Sequence, residues 1–271
     1  MTKIVALTHT LEPIFWEHIS RDIPHFYFFA FDWKHNRDKT EILLALEGSR
    51  IDGMMLVYNQ SIVQLRGSHK AVRALVGNLN LEKVELQALD QHKQCILERY
   101  SPTWSHLMML MTLNKGEERL QKTHPVQELK FSDSDRIAAI MREADPEYWG
   151  DQTGQQIVDN MKQKVTWLGI KVREELVSLG SARLTEWAGV VGVVATQKAH
   201  RNRGYATSIV SELVKRILEN QPTALIYVLM ENQSAIRAYS KVGFEPYRRY
   251  FFMRGERRKT SKKTEDMNSM F

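Results

Sequence analysis

The sequence predicts an α+β protein built on a mixed sheet, and three observations point there. VGVVAT (191–196) and ALIYVLM (224–230) are nearly continuous apolar runs of strand length, the pattern of strands buried on both faces. Between them Ala206, Ile209, Val210, Leu213, Val214 and Ile217 recur at helical spacing, so 205–219 reads as an amphipathic helix and the whole as a strand–helix–strand unit. The N-terminal half repeats the order: GMMLVYN (53–59) and SIVQLRG (61–67) as strands, a helix marked by Ala71, Val72, Leu75, Val76 and Leu79, then KVELQAL (83–89).

The other elements follow from the same periodicities. WLGIKV (167–172) and LVSLGSARL (176–184) form a hairpin across two glutamates, and 133–144 and 154–164 are helices. Ser234–Lys241 is a short helix stopped by Gly243, and YRRYFFM (247–253) is a last strand. HLMMLMTL (106–113) reads as a core strand of the N-terminal half. The polar stretch NKGEERLQKTHP (114–125) is the best boundary. It gives an N-terminal domain over 1–123, a second over 124–255 and a basic tail over 256–271.

Composition narrows the function. The chain has 271 residues, 43% hydrophobic and 26% charged, the balance of a globular protein. No run reaches the ~18 apolar residues of a membrane helix, and the opening run IVAL is too short for a secretory core. Cys95 is the single cysteine, expected buried on a helix, so no disulfide framework or thiolate zinc site exists and a cytoplasmic setting is expected. Nine histidines without ligand spacing argue against a metal. The net charge of +6 comes largely from RGERRKTSKK (254–263), whose local net is +5; the body is only mildly basic, which argues against a general nucleic-acid face. HFYFFAFDW (25–33) lacks the interleaved cations of a base-stacking platform.

One basic stretch needs an occupant. AHRNRGYATSIV (199–210) lies where strand gives way to helix. The first amides of a helix have no partners within it, and its dipole favours an anion there. Glycine lets the backbone curl around such a ligand. R-x-x-G-x-A (201–206) by itself is short and also suits a plain surface loop. It is neither a P-loop nor a dinucleotide fingerprint.

About thirty residues later comes ENQSAIRAYSKVGFEPY (231–247). The two together resemble the GCN5-related N-acetyltransferase (GNAT) superfamily, whose phosphate loop R/Q-x-x-G-x-G/A is followed by N-x-x-A-x-x-x-Y-x-x-x-G-F. The second motif stands here as Asn232, Ala235, Tyr239, Gly243 and Phe244. The resemblance covers roughly 124–253. The N-terminal half is similar, more distantly, to the degenerate partner domain of tandem forms such as glycine N-acyltransferase-like proteins. There RGSHKAV replaces the phosphate loop, so no coenzyme is expected in it.

The resemblance implies an acyltransferase that moves an acetyl group from acetyl-coenzyme A to a primary amine by direct attack in a ternary complex. It implies no metal. A small-molecule or peptide amine is the acceptor class, with small molecules and amino acids ahead of protein. The amides of Arg203, Gly204, Tyr205, Ala206 and Thr207 would surround the pyrophosphate, with Arg201 and Asn202 nearby. Val194 and Thr196 would pair with the pantetheine arm where the strands splay, at a bulge that Gly192 permits. The Val194 amide would serve as oxyanion donor and Tyr239 as general acid, with Asn232 also in the binding motif. The family's frequent basic glutamate falls on Val190, leaving Glu186, Glu231 or a water relay as the base. The aromatic segment 25–33 would be a buried core piece or the wall of the acceptor cleft. Two other readings remain open: a silent acyl-coenzyme A-binding regulatory module, and a nucleic-acid binder using the tail and Arg248–Arg249.

Overall fold

A computed structural model describes residues 2–121 and 123–259. In chain order its elements are β1 (Lys3–Ala6), α1 (Glu12–Ser20), α2 (Ile23–His35), β2 (Thr40–Glu47), β3 (Arg50–Tyr58), β4 (Ile62–Gly67), α3 (His69–Asn78), β5 (Lys83–Leu89), α4 (Lys93–Leu97) and β6 (Tyr100–Asn114). Then come β7 (Gln127–Glu128), α5 (Ser134–Ala144), α6 (Pro146–Trp149), α7 (Gly154–Lys162), β8 (Thr166–Val172), β9 (Glu175–Leu184), β10 (Gly189–Thr196), α8 (Tyr205–Asn220), β11 (Thr223–Leu229), α9 (Gln233–Val242) and β12 (Glu245–Arg257). The mixed α+β class expected from the sequence is what forms. Most of the basic tail lies outside the described residues.

The chain builds two units that interleave along the sequence. The first draws on residues up to Ile14, on Arg37–His106 and on the chain from Phe251; the second draws on Phe15–Asn36 and Leu107–Tyr250. A single cut at residue 123 therefore does not separate them.

In the first unit β1, β2, β3 and β4 lie antiparallel in that order, and β4 pairs in parallel with β5 through the α3 crossover. The apolar faces of α3 and of the strands bury Val72, Leu75, Val76, Leu56, Leu65 and Leu86 completely or nearly so. Cys95 is buried on α4, as its sequence context predicts.

In the second unit the order is β6-β11-β10-β9-β8-β7. The β8–β9 hairpin turns at Arg173 and Glu174, both with positive φ (51° and 68°), the conformation of a two-residue hairpin loop that matches strand twist. α8 buries Ile209, Val210, Leu213, Val214 and Ile217 against one sheet face, together with Val191, Ile226, Val228 and Tyr239. α5 packs on the opposite face with Leu179, Ala195 and Trp167. One expectation is corrected here. Residues 107–113 are a strand, but not in the core of the N-terminal half: they pair antiparallel with β11, from Thr223–Asn114 to Leu229–Met108. Periodicity identifies a strand and is silent about its partner.

Candidate active site

The site begins with a strand that leaves its neighbour. β10 pairs with β11 over three positions, Gly189–Ala224, Val190–Leu225 and Val191–Ile226. Against β9 its register then slips, since Val191 faces Ala182 while Val194 faces Gly180, so β10 carries one extra residue. A side chain at Gly192 would come within 2.7 Å of Ser181 Oγ, so a glycine there lets the bulge form without displacing that serine.

The bulge changes which backbone groups look outward. Gln197 donates to the Val177 carbonyl (2.9 Å), which makes 197–177 and 195–179 the hydrogen-bonded pairs of the ladder. The amides and carbonyls of Val194 and Thr196 therefore point away from β9, into the gap that β11 has left. Arg201 Nε already donates to the Thr196 carbonyl (3.1 Å), so the Thr196 amide is the group that faces the gap.

Beyond Thr196 the chain turns through 197–204 into α8. Asn202 (φ 62°) and Gly204 (φ 82°) are left-handed, and no side chain caps α8 at Gly204. The first-turn amides at Tyr205, Ala206 and Thr207 are the ones an α-helix leaves without internal partners. His124 Nε2 donates to the Arg203 carbonyl (2.7 Å) and its ring meets Tyr205 edge-on at 4.6 Å, while Thr123 and Ser208 hydroxyls lie 2.9 Å apart. These contacts brace the loop from behind. Arg203 also folds back, donating to the Ala199 carbonyl (3.4 Å). Both arginines thus have work in shaping the loop, in addition to their charge.

The second motif resolves into parts that hold Tyr239. Asn232 caps α9 by accepting from the Ala235 amide (3.1 Å), and Ser234 Oγ donates to the same oxygen (2.9 Å). Gly243 ends the helix at φ 116°, where a Cβ would stand 2.7 Å from the Glu117 carbonyl. Between these stops Tyr239 is 6% exposed, edge-on to Phe244 at 6.3 Å. Burial pushes its phenol above the usual tyrosine range, so it stays protonated at neutral pH.

The acid–base candidates fare differently. Val190 is confirmed in place beside Arg183 of β9 and Leu225 of β11, and cannot accept a proton. Glu186 is exposed and bound by Lys34 (3.4 Å) and His35 (3.0 Å). Burial alone would raise its carboxyl, but the hydrogen bonds from His35 and the backbone, with the charge of Lys34, hold it below the usual carboxylate range. Glu231 is exposed in the turn before α9.

The aromatic segment 25–33 is α2, and it belongs to this unit. Asp22 and Pro24 start it, Asp22 accepting from the His25 amide (3.2 Å). Phe28 packs on Tyr227 (5.7 Å), Phe31 lies under the Arg183 guanidinium (5.3 Å), and His25 Nδ1 meets the Tyr250 hydroxyl (2.7 Å). Val190, Arg183, Leu225 and Tyr227 share the sheet face opposite α8, so α2 crosses that face where β10 and β11 part. Phe28 and Phe31 remain half-exposed there. Sequence reading left Asp32 out, although its spacing beside Phe28 and Phe31 puts it on that face. Among the described residues no three His, Cys, Asp or Glu side chains converge as a metal site. No helix among them is long and apolar enough to cross a membrane.

Comparison with known proteins agrees with this geometry. Residues 167–253 match the family described as FR47-like protein. A Drosophila protein of known structure superposes with a TM-score of 0.68 at 8% identity, covering 93% of this chain and 99% of its own. A GCN5-related N-acetyltransferase from Sphaerobacter thermophilus gives 0.57 at 14% identity, covering 93% and 95%. The chain thus shares the fold of these acetyltransferases. A tandem GNAT protein of the clavulanic acid biosynthesis pathway gives 0.50 at 10% identity, covering 80% of this chain and 82% of its own. A search of curated protein sequences gave no match.

Proposed function

We propose that the second unit is an N-acetyltransferase that passes an acetyl group from acetyl-coenzyme A to a primary amine. One observation supports this above the others: β10 leaves β11 at a bulge that turns the Val194 and Thr196 amides into the gap, and the same strand leads into a helix that no side chain caps. A thioester arm can add to β10 as an extra strand, and a pyrophosphate fits the uncapped amides.

Acetyl-coenzyme A supplies an acyl group already activated as a thioester. The amides of Arg203 to Thr207 bind the pyrophosphate, and Val194 and Thr196 align the arm. The Val194 amide donates to the carbonyl oxygen as it gains charge during attack. Tyr239 hands its proton to the departing sulfur, for which a phenol kept neutral by burial is suited. The acceptor is a small amine or amino acid, taken beside the half-exposed Phe28 and Phe31 of α2. The lone buried thiol fits a cytoplasmic setting.

Val190, an alkyl chain where a base is expected, favours a second reading: a silent acyl-coenzyme A-binding module. The test is thiol release from acetyl-coenzyme A with a panel of amino acids, alkylamines and a lysine peptide. The transferase reading predicts release that falls on the order of 10²-fold in Tyr239→Phe, with acetyl-coenzyme A affinity unchanged. Binding without release from any amine would leave the silent module.

A further inference from the structure

The missing glutamate leaves the reaction without a proton acceptor on β10, and the structure offers one from a different element. We infer that Asp32, carried to the splay point by α2, is the general base that takes the proton from the acceptor amine. The inference rests on the transferase reading above.

The argument is first one of position. The side chain at 190 lies on the face opposite α8, with Arg183 directly across on β9 and Leu225 on β11. α2 covers that face with residues spaced three and four apart: Phe28 on Tyr227, Phe31 on Arg183, and His35 on Glu186. Asp32 is four residues from Phe28 and next to Phe31, so it lies on the same helix face. It is 7% exposed, and Asn36 Nδ2 donates to its Oδ1 (2.8 Å), which fixes the carboxylate's orientation.

Its protonation behaviour suits the task. Burial is the main influence; the Asn36 hydrogen bond and the charge of Arg183 act against it and leave the carboxyl at about 6. It is thus ionised at pH 7 yet far more basic than an exposed aspartate. The charged and titratable groups that bear on it include Arg183 from β9 and, on its own helix, Tyr27, itself pushed up to about 12, chiefly by burial. Further along lie Glu186, tied to Lys34 and His35. The other two acidic candidates do not compete: Glu186 is committed to that ion pair, and Glu231 is exposed beside α9.

The proton balance is complete. The ammonium loses one proton to Asp32, the neutral nitrogen forms the C–N bond, and the C–S bond breaks. Tyr239 protonates the departing sulfur, the nitrogen's second proton passes by way of solvent to the tyrosinate so formed, and Asp32 returns its proton to solvent. Products are the amide, the free thiol and one proton.

The experiment is the pH dependence of kcat/KM for thiol release by the full chain, from pH 5 to 9, with the best amine of the panel. Wild type should show an acid limb near pH 6. Asp32→Asn should lose activity at pH 7 on the order of 10²-fold and lose that limb, with acetyl-coenzyme A affinity unchanged. A folded Asp32→Asn enzyme that keeps both rate and limb overturns the inference and leaves the transferase reading standing. If Asp32→Asn does not fold, Asp32→Glu decides: a displaced acid limb supports the inference and an unmoved one overturns it. A wild type that binds acetyl-coenzyme A by calorimetry yet acylates no amine removes the transferase reading and Asp32's role with it.

Discussion

The chain contains the strand–turn–helix–strand segment twice, and the two copies differ at each place where a coenzyme would touch. In the second unit β10 bulges, parts from β11 after three pairs, runs through an eight-residue loop and enters an uncapped helix at a left-handed glycine. In the first unit β4 pairs with β3 without a bulge from Tyr58–Ile62 to Gly53–Gly67. Arg66, 1% exposed, ties β4 to β5 by donating to Gln87 Oε1 (2.7 Å) and to Gln64 Oε1 (2.9 Å). Ser68 alone separates β4 from α3, and it caps the helix: its Oγ accepts from the Ala71 amide (3.1 Å) and donates to the Asp52 carboxylate (2.7 Å). A helix N-terminus that spends an amide on its own serine and has a carboxylate beside it is a poor site for a phosphate. On the proposed function the same topology serves as a site in one copy and as framework in the other, and the difference lies in a few residues around one turn.

Arg66→Ala should have the largest effect on stability. It strips Gln64, Gln87 and two carbonyls of a buried donor and leaves a void, so unfolding free energy should fall by about 3 kcal/mol in denaturant titration. A loss under ~1 kcal/mol would mean that the β4–β5 tie is ornamental. In the second unit Gly204→Val forces a β-branched residue to φ 82°, with its Cβ toward His124 and Thr123 (3.6 Å each), so backbone strain displaces the turn that presents the first-turn amides. At roughly 1–3 kcal/mol of backbone strain, acetyl-coenzyme A should bind about 10- to 100-fold more weakly by calorimetry, with Ser68→Ala as the unaffected control.

Asp32 gives the next effect, and its sign can be worked out. Its folded value of about 6 lies above the ordinary value of 3.8, so the fold favours the neutral acid. Its contribution is complete below about pH 4 and is lost as pH rises through 6. Asp32→Asn should therefore raise stability by about 2 kcal/mol at pH 7 and change it little at pH 4, read from thermal melts at both values. No difference between the two would mean that the carboxylate is better solvated than its burial indicates. The smallest effect is Ser68→Ala, which removes one helix cap and should cost about 1 kcal/mol without creating a second coenzyme site.

Much of this contrast is legible in the sequence. The apolar runs and helical stripes place nearly every element of both copies, because burial on one or two faces writes its period into the residues. R-x-x-G-x-A followed by N-x-x-A-x-x-x-Y-x-x-x-G-F locates the loop and Tyr239, and the caps at Asn232 and Gly243 explain why those residue types stand there. What the sequence hides is partnership across distance. Residues 107–113 read as a strand, yet nothing in HLMMLMTL names β11 as its neighbour. HFYFFAFDW reads as buried, yet its membership in the second unit, and so the relevance of Asp32, depends on contacts more than 150 residues away, with Arg183 and Tyr227. Arg66 is just another basic residue in RGSHKAV until its burial between Gln64 and Gln87 is seen.

The stoichiometry of acetyl-coenzyme A binding to the full chain, by isothermal titration calorimetry, tests the central claim most directly. One site per chain, weakened by Gly204→Val and untouched by Ser68→Ala, is the predicted result. Two sites per chain, or a single site weakened by Ser68→Ala and indifferent to Gly204→Val, would contradict it.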